Sequence, residues 1–214
     1  MICVLSGVWA ECAVQIMYFG GTNGASEKLY VYSGERFVRS VKVEENYFSD
    51  TIKVKGPSNV LVLADQELTE VEQLAKYPSV NVPKGWKKIL LIGLADPKKP
   101  DGGVRFLPIN ATAPYFQPGD LMFFNFGSYT MEGKVGNQSI RLMPKKKKIV
   151  KKCAQPGKDY EVQVDLLTPN KYRKRQSFIY QYWNYSTEKR TLIFVSKLEG
   201  TTRNKYTVSE VVGL

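Results

Sequence analysis

The chain has 214 residues, 43% of them hydrophobic and 24% charged, a balance that builds a folded core and excludes bulk disorder. Its 31 Lys and Arg against 20 Asp and Glu leave a net charge of +11, which attracts anions of every kind. Histidine is absent, which excludes Ser-His-Asp and Cys-His catalysis, histidine zinc sites and blue-copper sites, and leaves acid–base chemistry to shifted carboxylates, Lys, Tyr or Cys.

The first ten residues, MICVLSGVWA, are mostly apolar. Val8 and Ala10 are small residues at the two positions a signal peptidase reads, so residues 1–10 are read as the remnant of a signal peptide, with the mature chain starting at Glu11. That predicts export to a periplasm or cell envelope; if the segment is instead a first strand, the expected place is the cytoplasm. Of Cys3, Cys12 and Cys153, cleavage would leave the last two. They could pair in an oxidising compartment, but two unpaired buried thiols are the preferred reading, since sequence supplies no geometry. The longest apolar run is seven residues from Ile89 to Ala95, far short of the roughly 20 that span a bilayer, so no transmembrane helix is expected.

From there on, short segments rich in β-branched and aromatic residues alternate with turn residues. Strands are predicted at 14–19, 28–32, 37–43, 51–55, 60–64, 88–94, 104–109, 120–126, 129–135, 139–143, 147–151, 160–166, 177–185, 191–197 and 205–211. Only one helix is expected, over 70–76, with Thr69 and Glu72 as a capping box and Pro78 beyond its end. The segment DLMFFNF at 120–126 is apolar on both faces and so is expected to be buried on both.

A repeat is legible as pattern rather than identity. The four strands from 28 to 64 match the four from 120 to 151, and the pairs 88–94 with 104–109 and 177–185 with 191–197 follow them. The pattern suggests a first half over 11–110 and a second over 119–214, joined by a segment containing Pro114 and Pro118. The fold class is therefore all-β, two sandwich-like halves of Ig-like or related Greek-key or meander topology.

The strongest chemical feature is Lys145, Lys146, Lys147 and Lys148, followed after Ile149 and Val150 by Lys151 and Lys152. It reads as an anion-binding patch, with Arg173 and Arg175 as neighbours, or more plainly as a lysine-guarded sheet edge. Tyr180, Tyr182 and Trp183 are candidates for stacking on sugars or bases, although rings on a strand more often fill a core. Ser186 to Lys189 matches S-x-x-K but lacks its partner motifs, and the Gly20–Gly24 stretch lacks the Lys-Ser/Thr of a phosphate loop. No CxxC, no acidic calcium spacing and no paired carboxylates stand out, so no metal site and no cofactor are assigned. Asn110, Asn137 and Asn184 begin sequons that matter only in a eukaryotic secretory pathway.

The stretch PGDLMFFNFGSYTMEGKVGNQSIRLMPKKKKIVKK, residues 118–152, resembles segments of uncharacterised bacterial exported β-sandwich families. The resemblance implies a fold and export, and no activity or functional residue. The expected function is a non-catalytic structural or interaction module with a protein partner. The next reading is a binder of anionic polymer, an acidic glycan ahead of nucleic acid, and the third is a carbohydrate-binding module.

Overall fold

The computed structural model describes residues 11–20, 25–55, 58–96, 98–99, 103–167, 175–197, 201, 203–212 and 214. Residues 1–10, with the expected signal remnant and Cys3, lie outside them, as does Arg173. The chain divides into two compact units, Met1–Tyr115 with Leu214, and Phe116–Gly213. Among the described residues each unit contains eight strands.

The first unit contains β1 (Cys12–Phe19), β2 (Lys28–Ser33), β3 (Arg36–Lys42), β4 (Ile52–Val54), β5 (Val60–Ala64), β6 (Ser79–Asn81), β7 (Lys88–Ala95) and β8 (Val104–Asn110). They form one sheet in the order β4-β1-β7-β8 and a second in the order β3-β2-β5-β6. The second unit contains β9 (Leu121–Asn125), β10 (Thr130–Val135), β11 (Gln138–Leu142), β12 (Lys147–Val150), β13 (Asp159–Leu167), β14 (Arg175–Asn184), β15 (Arg190–Lys197) and β16 (Asn204–Val211). Its sheets run β12-β9-β15-β16 and β11-β10-β13-β14. Replacing each strand of the first unit by the one eight places on gives the second. In both, the first strand pairs in parallel with the seventh (β1 with β7, β9 with β15), and every other named pairing is antiparallel.

The fifteen predicted strands are all present, and β6, three residues long and directly after Pro78, is additional. The repeat, however, is displaced by one strand from the pattern read in the sequence. The strand at 28–33 corresponds to 130–135, not to 120–126, and 88–95 corresponds to 190–197, not to 177–185. The matching hairpins settle the register: Gly34 (φ +58°) and Gly136 (φ +57°) each open a two-residue turn, and their amides donate to Val60 O and Glu161 O. The left-handed backbone there favours glycine. The predicted helix is a 3₁₀ turn, Val71–Lys76, and no side chain caps it, so the Thr69 capping box does not form. With Leu74 its one buried residue, it has too small an apolar face to extend into an α-helix.

Alternation gives each unit its core. In the first, Val14, Ile16, Val31, Leu61, Ile89 and Leu91 meet between the sheets; in the second, Phe123, Met131, Val162, Val164, Ile193 and Val195 do the same. Successive strand residues point to opposite faces, so one residue in two faces the partner sheet. β9 is an interior strand with all five residues buried, as its doubly apolar sequence requires. On its outer face Phe124 stacks on Phe126 and Phe194 at centroid distances of 5.8 and 5.1 Å.

Candidate binding surfaces

The lysine run forms β12 and its flanks, and β12 is an outer strand of its sheet. Only Lys147 and Lys148 belong to the strand; Lys145 and Lys146 precede it and Lys151 and Lys152 follow. Lys145 (φ +60°) and Lys152 (φ +50°) sit in the left-handed region at its two ends, where the chain turns into and out of the sheet. Lys145, Lys146, Lys151 and Lys152 are exposed. Lys148 Nζ donates to Ser139 O at 3.3 Å, across to β11. The Lys147 side chain reaches solvent, yet its ammonium lies close enough to the strand for desolvation to lower its pKa.

Arg175 does not join this patch. It starts β14, an outer strand of the other sheet on the opposite side of the sandwich, and its guanidinium pairs with Glu132 at 2.9 Å and Asp165 at 3.9 Å. Its charge is already answered by carboxylates of its own sheet.

The aromatic candidates divide between the two faces of β14. Tyr180 and Tyr182 are exposed on the outer face, beside Glu161, whose negative charge is the first cause of the raised pKa of Tyr180. Trp183 faces inward, where Tyr160 meets its ring edge-on at 6.3 Å and 81°. Its Nε1–H donates to Gln181 Oε1 at 3.0 Å, two residues back on the same face.

Trp183 lines a cleft of about 360 Å³ between β14 and β16, the two outer strands on this side of the second unit. Tyr160, Tyr185, Leu121 and Val208 supply the rest of its apolar lining. Lys189 and Glu210 form an ion pair within it, and Asn184, Ser186 and Thr191 add amide and hydroxyl groups. Asn184 Nδ2 is held by Asp159 Oδ1 at 3.2 Å, and Ser186 Oγ accepts from the Glu188 amide at 3.2 Å. The S-x-x-K tetrapeptide is the turn between β14 and β15, as its sequence context suggests. Tyr182 reaches the cleft from the rim; Tyr180 does not line it.

Cys12 and Cys153 are free, buried thiols, each inside the core of its own unit, so the bridge weighed from sequence does not form. Desolvation, with a smaller contribution from Glu11, pushes the Cys12 thiol up to about 11. Burial also raises Cys153, against an opposing hydrogen bond from Tyr160, and both are held as inert thiols at neutral pH. Asp120, between the cleft residues Gly119 and Leu121, is buried; desolvation raises its pKa against the Gln117 amide bond and the charges of Lys151, Arg190 and Lys152. Arg190, also buried, donates from Nε to Phe116 O at 3.0 Å. Among the described residues no group of three or more Cys, Asp or Glu is placed to hold a metal ion, and no helix is long and apolar enough to cross a membrane.

No family model matches the chain, and no curated protein is significantly similar to it.

Proposed function

We propose that this chain is a non-catalytic binding module, exported to a bacterial periplasm or envelope, that holds an acidic polysaccharide along the lysine-rich edge of its second half. The observation that carries the reading is the placement of the six lysines. Two on β12 are enough to block edge-to-edge pairing. The other four lie outside the strand, exposed at its two ends, and they extend the positive field along the chain. Lysine suits this role because its compact ammonium gives diffuse attraction rather than bidentate grip. The resemblance of residues 118–152 to exported β-sandwich families supports the location. The absence of histidine and the protonated, buried thiols support a module without chemistry of its own.

The test is a titration with heparin across a range of salt concentrations, for the native chain and for a variant with all six lysines changed to Gln. Affinity for the native chain is expected to fall steeply with salt, and the slope to flatten in the variant. A salt-independent affinity, or equal slopes, overturns the reading. Tighter binding to a single-stranded oligonucleotide than to heparin replaces the polysaccharide with nucleic acid.

A further inference from the structure

The two units share strand order, and their pairings match around the Gly34 and Gly136 turns, so positions there can be compared directly. Aligning Gly34 with Gly136 aligns Val60 with Glu161 through the matching amide bonds. Leu61, paired with Val80, then corresponds to Val162, paired with Gln181. One step further, Val82, whose amide donates to Asn59 O, corresponds to Trp183, paired with Tyr160. In the first unit these inward positions hold two valines, 4% and 0% exposed. In the second they hold an exposed Gln and a half-buried Trp. The facing strand matches this opening. Val208 and Glu210 pair with Ile193 and Thr191 and so point inward with the core residue Ile193, yet Val208 remains 42% exposed. Inward positions of a sandwich are ordinarily sealed. Here the edges stand apart over a lined cleft.

We infer that the cleft between β14 and β16 is a saccharide-binding site, taking one or two pyranose rings of a neutral sugar against the indole of Trp183. The indole is pre-organised: Tyr160 braces it edge-on, and Gln181 fixes its N–H. A flat, fixed aromatic surface suits the C–H face of a pyranose and loses little entropy on binding. The polar groups suit its hydroxyls. Lys189 donates and Glu210 accepts, Asn184 contributes an amide, and the Ser186 hydroxyl, whose oxygen accepts from Glu188, has its own proton to give. Because Lys189 and Glu210 neutralise each other, the cleft has no net charge with which to select an ion. Its volume of about 360 Å³ lies at the small end for ligand pockets. Strand β12 lies at the far edge of its sheet from β16, and of the six lysines Lys151 and Lys152, past its end, are the two whose charge acts on Asp120 beside the cleft.

The experiment is calorimetric titration of the full chain with cellobiose, lactose and N,N′-diacetylchitobiose, together with intrinsic tryptophan fluorescence, from which the signal of the Trp183→Ala chain, carrying Trp9 and Trp86 alone, is subtracted. At least one sugar is expected to bind with one site per chain, with an affinity unchanged by salt and unchanged when the six lysines become Gln. Trp183→Ala is expected to weaken it by about tenfold or more. Because that change also removes core contacts, the double variant Gln181→Val with Trp183→Val is made beside it. It reproduces the pair that the first unit already packs, and it is expected to fold and to lose binding. The inference is overturned if no sugar binds, if the valine pair binds as the native chain does, or if an extended peptide saturates the cleft in place of any sugar. Loss of heparin binding in the lysine variant with sugar binding intact separates the two sites.

Discussion

Single residues decide where this backbone can turn and which groups it hides. Gly136 is the sharpest case: a Cβ there would sit 2.0 Å from Cys153 O, on a backbone already at φ +57°. Gly157 has a similar φ of +68° but open space around it. Gly136→Ala is therefore expected to cost more than about 2 kcal/mol in urea denaturation, and Gly157→Ala only about 1 kcal/mol. Equal costs would mean that the Cys153 carbonyl yields freely. The buried thiol and phenol of the first unit set a pH dependence. Cys12 titrates near 11 against an ordinary 9, and Tyr18, raised first by desolvation and then by Asp65, near 12 against an ordinary 10. As pH climbs, the unfolded chain releases these protons before the folded one does. Stability that is full below pH 9 is thus lost progressively towards pH 11 to 12, with Cys12 contributing up to about 3 kcal/mol. Cys12→Val should flatten the part of the curve between 9 and 11; an unchanged curve would show that Cys12 is reached by water.

At the scale of elements, the outer strands carry the consequences. β12 is four residues long and carries Lys147 and Lys148 on an unpaired edge. Changing both to Thr leaves a β-favouring edge without charge, and self-association rising with concentration is expected in sedimentation velocity. A monomeric variant would assign the protection to the flanking lysines instead. Strands were legible in the sequence because alternation and turn residues are local signals. β6 was not, because Ser79, Val80 and Asn81 are too few to show a period. The short helix falls where it was expected, but its Thr69 capping box does not form, because such a box records only a preference of the chain end, and packing around Leu74 offers nothing to extend the turn. The candidate site was half legible. Tyr182 and Trp183 stand in one aromatic stretch, but Tyr160, Lys189, Val208 and Glu210 come from three other segments. Nothing in a sequence states which sheet edges lie over one another. Arg175 was misplaced for the same reason: strand order carries it across the sandwich from the lysines.

At the scale of the whole chain, one topology occurs twice with two different outcomes. Fold and repeat were both visible in the pattern, yet the repeat was read one strand out of step. β1 and β9, buried on both faces or nearly so, lack the simple alternation that marks a repeat unit's first strand. The structure restores the register, and only then does the replacement of Val80 and Val82 by Gln181 and Trp183 become visible. A pair of copies permits such divergence, because the closed form remains in one while the other opens.

The parallel pairing of first and seventh strands has a further consequence during synthesis. Ala13 finds its partner Lys88, and Leu121 its partner Thr191, only after most of each unit has been made. The first strand of each unit, buried on both faces or nearly so, thus precedes one of its two neighbours by most of that unit's length. For that interval it is exposed to mispairing with its counterpart in the other copy, whose sheet would accept it in the same order. Closure of the first unit before β9 emerges would remove that competition, since domains generally fold as units during synthesis.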